Sequence, residues 1–385
     1  MKIAYISPIY FSDVDLSYIQ ELSKHADVYY FFPLGSILKG AAINIDKLLP
    51  CSDILPATAY PELDKFKHII DLQKTFIINN GNNSRIQHLI LTFKLLRKIH
   101  DLHIDIIHLT EIPNWNYFPL YAQRKKIVLS VHDPFVHSCV KSKWYEFRRK
   151  CAFYLIENFI IFNKNQRENF IKHYHLEKKL VFDSQLSTYT YLHMYKKNTT
   201  QKQQILFFGQ ITSHKGLEYL LPAMDLLHQK HPDAKLIVAG KGTFHFDISL
   251  YQEKKYIDIR NRFIPDEELA ELIQESYLVV CPYKDATQSG VIMSAFAFGI
   301  PVIATNVGGL PEMVKHNITG LIIPPCNIQA ITDAVASLIE NPTLHLEMSQ
   351  NIVEYYTHSN LSWNHIVLDV YNNVYKTITN NSSVR

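Results

Sequence analysis

Short apolar runs of strand length alternate with longer stretches of helical periodicity along the whole chain. Runs rich in β-branched and aromatic residues predict strands at 3–6, 28–32, 104–109, 127–132, 159–162 and 180–182, and then at 205–208, 235–239, 256–263, 278–281 and 301–305. Apolar side chains at helical spacing predict helices at 15–22, 86–99, 217–227, 266–276, 291–298 and 328–339. Strands that alternate with helices form right-handed βαβ units, so we expect parallel sheets.

A polar segment at 196–204 interrupts this alternation, which then restarts. The chain has 385 residues, about two and a half times the roughly 150 residues that one domain usually takes. We therefore predict an α/β protein of two doubly wound, Rossmann-like domains, 1–198 and 199–357, that face each other across a crevice. The acidic residues Asp13 and Asp15 precede a predicted helix, and we interpret them as capping residues rather than as a metal-binding DxD motif.

The composition is that of an ordinary globular protein, with 47% hydrophobic and 19% charged residues. No apolar run approaches the roughly 20 residues of a membrane-spanning helix. Five cysteines without a CxxC pair fit reduced thiols, so we expect a cytoplasmic protein.

The net charge of +3 conceals an asymmetry, because 1–200 carry 26 Lys and Arg against 18 Asp and Glu, whereas 201–385 carry 13 against 18. Between Arg124 and Lys150, eight basic residues are interleaved with aromatic ones. This segment predicts either a solvated basic face or a peripheral contact with the anionic inner face of the cytoplasmic membrane. We do not expect nucleic acid as a partner, since no recognition motif accompanies the charge.

The turn after the predicted strand at 205–208 is a candidate anion site. It begins with Gly209 and Gln210, ends with Lys215 and Gly216, and leads into a helix. Backbone N–H groups and the positive end of a helix favour an anion there, and Lys215 adds a mobile charge. The turn matches neither a P-loop nor a GxGxxG motif, and an ordinary helix start remains the alternative.

Two further strand-to-helix turns in the second half carry hydrogen-bond donors. The residues concerned are Thr287, Gln288, Ser289 and Gly290 in one turn, and Gly308 and Gly309 in the next. Hydroxyl, amide and N–H groups suit phosphate oxygens and sugar hydroxyls. Three such turns without a pair of catalytic carboxylates favour the recognition of a nucleotide diphosphate over acid–base hydrolysis.

The second half resembles the retaining GT-B-fold nucleotide-sugar glycosyltransferases of family four, or glycosyl transferases group 1. The segments that carry the resemblance, in the family's order and spacing, are 209–216, 294–302, Gly308-Gly309 with Glu312, and 319–321. The resemblance implies a donor-binding second domain, an acceptor-side first domain, and a return of helices 358–385 to the first domain. Three positions depart from the family: Gln210 replaces an arginine, while Ala286 and Ser294 replace glutamates, the second of which would hold the ribose.

The resemblance implies transfer of a sugar from a nucleotide-diphosphate donor to a growing, lipid-linked bacterial surface polysaccharide of capsule or lipopolysaccharide, with retention of configuration. Lys215 and the backbone amides at 287–290 and 308–309 would stabilise the departing diphosphate, so neither a metal nor a cofactor is expected. His132 and Asp133 are candidates to lie beside the transferred sugar. A GT-B-fold sugar-nucleotide epimerase and a catalytically silent sugar-nucleotide-binding protein remain as alternatives.

Overall fold

The structure is a computed structural model that describes residues 1–35, 37–80, 85–112, 115–135, 143–162 and 164–383. The chain divides into two compact units. The first unit consists of Met1–Leu186 and Trp363–Arg385, and the second unit of Ser187–Ser362. The carboxyl-terminal helices thus belong to the first unit.

The strands of the first unit are β1 (Lys2–Ile6), β2 (Asp27–Leu34), β3 (Asp53–Pro56), β4 (Thr75–Asn79), β5 (Ile106–Leu109), β6 (Ile127–Val131), β7 (Asn158–Ile161) and β8 (Leu180–Asp183), and those of the second unit are β9 (Gln204–Phe208), β10 (Lys235–Gly240), β11 (Ile257–Asn261), β12 (Leu278–Cys281), β13 (Val302–Thr305) and β14 (Gly320–Ile323). The helices are α1 (Ser12–Leu22), α2 (Arg85–Asp101), α3 (Lys143–Leu155), α4 (Arg167–Tyr174), α5 (Leu217–Lys230), α6 (Ser249–Gln252), α7 (Asp266–Glu275), α8 (Gly290–Ala297), α9 (Leu310–Met313), α10 (Ile328–Glu340), α11 (Pro342–His358), α12 (Trp363–Asp369) and α13 (Lys376–Ser383). Short 3₁₀ segments include Trp115–Gln123 and Ser213–Lys215, and a π-helical stretch, Val370–Tyr375, joins α12 to α13.

The described strands of the first unit form one sheet in the order β3-β4-β2-β1-β5-β6-β7-β8. All neighbours pair in parallel except β3 and β4, which are antiparallel at the edge. Helices α2, α3 and α4 bury Leu95, Phe153 and Phe170 in one apolar cluster and therefore share one face of this sheet. Helix α1 crosses in the opposite direction, from β1 to β2, so right-handed connection places it on the other face.

The second unit has a parallel sheet in the order β11-β10-β9-β12-β13-β14. The connection after β9 runs toward one edge and the connection after β12 toward the other. The strand order therefore reverses between β9 and β12, where the turns that follow the two strands lie side by side. In open α/β sheets this is the position at which ligands bind.

These two sheets confirm the predicted fold class of two Rossmann-like α/β domains. Every strand predicted above is present, with ends that differ by up to two residues, whereas β3, β4 and β14 were not predicted. The prediction that Asp13 and Asp15 cap a helix is wrong. Helix α1 begins at Ser12 with Phe11 as its N-cap, because a 3₁₀ turn at Ile9–Phe11 leads directly into it.

Candidate functional site

Three turns follow adjacent strands at the carboxyl edge of the second unit's sheet: the first turn (209–216, after β9), the second turn (282–289, after β12) and the third turn (306–309, after β13). The first and second turns touch at Gly216, which has a φ of 71°. A Cβ added to Gly216 would lie 1.9 Å from the carbonyl oxygen of Pro282. The backbone N–H of Lys284 also donates to the carbonyl of His214 (2.8 Å). Only glycine allows this close approach.

The third turn packs against the second turn in the same way. Gly308 has a φ of 49°, and a Cβ there would lie 1.6 Å from the carbonyl oxygen of Ala286. The N–H of Gly309 donates to that same carbonyl (3.3 Å), and the hydroxyl of Thr305 donates to the carbonyl of Tyr283 (2.6 Å). The three turns therefore form one connected surface.

Lys215 provides the positive charge of this surface. Its Nζ lies 3.7 Å from the centroid of the buried Tyr283 ring, and burial lowers the pKa of the ammonium group. Within the described residues Lys215 forms no ion pair, whereas its neighbour Lys284 pairs with Glu218 at 2.5 Å. Burial also raises the pKa of the nearby Cys281 thiol to about 11, so Cys281 is neutral. Lys215 therefore carries a charge that an anion could compensate.

The start of α8 supplies polar groups next to Lys215. Ser289, the N-cap, is buried beside Cys281 and Tyr283, and its hydroxyl makes no hydrogen bond of ordinary geometry to the described residues. Ser294 is buried one helical turn later. The ring of Tyr189 packs on Gly290, where an added Cβ would lie 2.9 Å from the Tyr189 hydroxyl oxygen. Sequence patterns could not predict this contact, because Tyr189 lies in an irregular segment about one hundred positions before Gly290.

The predicted donor-site residues are all found on or next to these three turns. Gly209, with a φ of 106°, opens the first turn, and Gln210 beside it is exposed. Thr287 and Gln288 are half-buried in the second turn. Glu312, from the family resemblance, is exposed on α9.

His132 and Asp133 lie in the first unit, directly after β6. The imidazole of His132 stacks on Phe11 with a centroid distance of 4.4 Å and lies 4.9 Å from Phe162. Its Nε2 is buried without a hydrogen-bond partner among the described residues. Burial lowers the pKa of His132 to about 4, so the ring is neutral near pH 7. Asp133 is exposed.

Arg149 positions this segment, which the sequence analysis did not foresee. Its guanidinium donates to the carbonyls of Asp133 (3.0 Å) and Pro134 (2.6 Å). Because Arg149 is buried, it does not belong to a solvated basic face, and that interpretation of this residue is wrong. Its burial could have been inferred from the sequence, because Arg149 lies three and four positions before the buried Ala152 and Phe153 on one helical face.

A buried polar network connects the carboxyl-terminal helices to the first unit's sheet. His108 on β5 hydrogen-bonds to the hydroxyl of Tyr375 (2.6 Å) through Nδ1 and to the hydroxyl of Ser130 (2.7 Å) through Nε2. The hydroxyls of Tyr375 and Tyr18 are 2.9 Å apart. Burial lowers the pKa of His108 to about 3. This network fixes the returning helices without a charged group.

In the part of the chain that the structure describes, no three His, Cys, Asp or Glu side chains form a cluster that could hold a metal ion. None of its helices is both long and apolar enough to span a bilayer.

Comparison with known proteins finds a family-model match within the second unit. Residues 192–356 match the family model described as glycosyl transferases group 1. An uncharacterized glycosyltransferase of Haemophilus influenzae is 32% identical over 153 residues, which are 39% of this chain and 43% of that protein. The alpha-D-kanosaminyltransferase of Streptomyces kanamyceticus is 27% identical over 152 residues, 38% of this chain and 39% of that enzyme. The chain thus matches less than half the length of these curated relatives.

Among solved structures, Anabaena HepE in complex with UDP-glucose resembles the chain over its whole length. The TM-score is 0.65 with 16% sequence identity, and the match covers 100% of both chains. At this identity the likeness shows the fold alone, which is the predicted GT-B fold.

Proposed function

We propose that this chain, whose residues 192–356 are a glycosyl transferases group 1 domain, is a glycosyltransferase that moves a sugar from a nucleotide-diphosphate donor to a hydroxyl group. The observation that carries this proposal is the connected surface of three turns around Lys215. A largely buried ammonium group without an ion pair in the described structure, next to a helix start with a buried hydroxyl, suits a diphosphate. HepE binds UDP-glucose, which makes UDP-sugars the first donors to test.

In the proposed reaction the acceptor oxygen forms a bond to the anomeric carbon while the bond from that carbon to the diphosphate breaks. The acceptor proton moves to the departing phosphate oxygen, so no separate general base is required. Lys215 and the N–H groups of 287–290 and 308–309 stabilise the negative charge that develops on the leaving group. The resemblance to retaining enzymes supports retention of the anomeric configuration.

The remaining candidate residues bind and orient the donor and the acceptor. Ser289 and Ser294 offer buried hydroxyls, and Thr287, Gln288 and Gln210 offer further polar groups near the diphosphate and the ribose. Neutral His132 exchanges hydrogen bonds with a hydroxyl of the transferred sugar, and Asp133 orients the acceptor. Neither a metal nor a cofactor is part of this mechanism.

The proposed acceptor is a growing, lipid-linked surface polysaccharide of a bacterium, of the capsule or lipopolysaccharide type, reached from the cytoplasm. With this acceptor we propose a peripheral contact with the anionic membrane through the segment from Arg124 to Lys150. Of its cations, Arg124, Lys125, Lys143 and Lys150 are exposed, and Lys141 lies outside the described residues. Binding to anionic vesicles is expected to weaken as the salt concentration rises.

The function is tested by the Lys215→Ala variant, with Lys255→Ala as the control because Lys255 is an exposed lysine of the same unit. Loss of one preorganised stabilising group usually costs about 10²- to 10³-fold in kcat. We expect such a loss for Lys215→Ala and none for the control, measured as sugar transfer from a labelled donor. Near-wild-type transfer by Lys215→Ala would refute the role of this charge. An epimerised donor would identify an epimerase, and binding without turnover a silent binding protein.

A further inference from the structure

Helix α2 presents an apolar stripe to solvent. Ile86, Leu89, Ile90 and Phe93 are all exposed, Ile86 to 72%, and their spacing places them on one helical face. The opposite face of the same helix is buried in the core through Leu91 and Leu95. The apolar spacing predicted a helix at 86–99 without showing which side chains face outward, so the outward stripe is a finding of the structure.

Helix α3 presents a second stripe, composed of aromatic and basic side chains. Lys143, Trp144, Phe147, Lys150 and Tyr154 are all exposed, with Trp144 at 64% and Tyr154 at 80%. The rings of Trp144 and Phe147 stack with a centroid distance of 5.7 Å. Aromatic rings combined with lysines are typical of helices that lie at a membrane interface.

The two stripes belong to one layer of the first unit. Helices α2 and α3 cover the same face of the sheet, and the 3₁₀ segment Trp115–Gln123 packs beside α2 and exposes Phe118. We call the outward side chains of this layer the helical-layer surface; they are Ile86, Leu89, Ile90, Phe93, Phe118, Trp144, Phe147 and Tyr154. At about 200 Å² per aromatic side chain, the exposed fractions of its five aromatic residues alone add up to roughly 600 Å². This total lies at the upper end of the roughly 300–600 Å² that the largest apolar patch of a typical soluble monomer covers, and such patches are often functional.

The charge on this surface is positive. Lys94 and Arg97 on α2 and Lys143 and Lys150 on α3 are exposed. Lys94 and Arg97 have carboxylate partners, in Asp53 and Asp101. Lys143 and Lys150 form no ion pair within the described residues, and this leaves two uncompensated cations beside the aromatic stripe.

We propose that the helical-layer surface docks the enzyme on an anionic lipid bilayer, with the apolar side chains in the interfacial region and Lys143 and Lys150 at the lipid phosphates. The inference rests on the proposed function, since a lipid-linked acceptor requires the enzyme at a membrane. It adds α2 and Phe118 to the basic segment and makes apolar insertion, rather than charge alone, the main source of binding. A second copy of the chain is the less suitable occupant, because a two-fold interface would place these lysines against their own copies.

The test is co-sedimentation of the full chain with vesicles of phosphatidylcholine, with and without phosphatidylglycerol, in the absence of donor and acceptor. The variant Ile86→Ser/Ile90→Ser removes the apolar stripe, and Leu250→Ser/Val353→Ser is its control with equally exposed residues of the second unit. We expect roughly tenfold or greater weakening of binding for the first variant and none for the control. Lys143→Gln/Lys150→Gln is expected to abolish the preference for phosphatidylglycerol, with Lys230→Gln/Lys255→Gln as its control.

Two results would overturn the inference. The first is equal vesicle binding by the stripe variant and its control. The second is a wild type that is dimeric in sedimentation equilibrium and a stripe variant that is monomeric but binds vesicles as well as the wild type. A thermal shift with a UDP-sugar, measured on the same proteins, separates this inference from the proposed function. A wild type that shows the donor shift but does not bind anionic vesicles would refute the docking surface alone. A missing donor shift in every protein, including wild type, with intact vesicle binding would refute the proposed function alone.

Discussion

The Gly308→Ala substitution probes the packing of the third turn against the second turn. Two costs are expected. An alanine at the φ of 49° observed for Gly308 costs about 1–2 kcal/mol of folding free energy. Its Cβ would also lie 1.6 Å from the carbonyl oxygen of Ala286, whereas real Cβ atoms essentially never approach closer than 3.0 Å. The second turn must therefore move by more than an ångström.

Gly299→Ala is the matched control, because Gly299 has a φ of 71° in the same unit and its Cβ would lie 3.2 Å from the end of the Val353 side chain, a tight contact that a small side-chain shift relieves. We expect Gly299→Ala to lose about 1–2 kcal/mol in urea unfolding, and Gly308→Ala to lose more than that, because its clash adds to the cost of the positive φ. Only Gly308→Ala should also lose affinity for UDP in calorimetric titration, by roughly tenfold or more, since displacements near 1 Å in a binding site have effects of this size or larger. Equal UDP affinity in the two variants would refute the role of the turn contact.

Three further substitutions test separate parts of the account. Ser289→Ala should leave the melting temperature unchanged or higher, because it removes a buried hydroxyl that makes no hydrogen bond of ordinary geometry in the described structure. The affinity for UDP should fall roughly fivefold, and an unchanged affinity would exclude Ser289 from the donor site. Arg149→Ala should lower the free energy of unfolding in urea by about 2–3 kcal/mol, because it removes two hydrogen bonds to backbone carbonyls. Lys150→Ala, at an exposed position of the same helix, should lower it by almost nothing. Similar losses in the two variants would contradict the contacts assigned to Arg149. Burial lowers the pKa of His108 to about 3 in the folded protein, whereas the pKa of histidine in the unfolded chain is about 6.5. As the pH falls below 6.5, the unfolded state therefore takes up a proton that the folded state does not, and the folded state loses stability. Between pH 7 and pH 5 the wild type should therefore lose about 2 kcal/mol more than His108→Gln, and parallel pH profiles would show that His108 is charged in the folded protein.

The sequence predicted the fold well because βαβ units leave a local signal. Buried parallel strands are continuous apolar runs, as in the predicted strand 278–281, which matches β12. The strand β3 was missed because it has four residues, is half-exposed and ends at Pro56. Its apolar run consists of Ile54 and Leu55 alone. The start of α1 was missed because a preceding 3₁₀ turn, rather than a capping side chain, begins it.

Residues of the candidate donor site could be predicted from the sequence only where glycine and polar residues mark a turn between a strand and a helix. The glycines at 209, 216, 308 and 309 were found in this way. Contacts between distant segments left no such signal: Tyr375 meets His108 across 267 positions, and Tyr189 meets Gly290 through side-chain packing alone. The roles of His132 and Asp133 beside a sugar remain a prediction.

The donor site is tested by the thermal shift of wild type and Lys215→Ala with a panel of UDP-, GDP- and dTDP-sugars in the presence of EDTA, followed by acceptor-free hydrolysis of any donor that binds. We predict that one nucleotide class raises the melting temperature of the wild type, that EDTA does not reduce the shift, that the bound sugar is released slowly, and that Lys215→Ala loses most of the shift. The absence of a shift with every nucleotide sugar, or an equal shift in Lys215→Ala, would contradict a donor site built on the three turns.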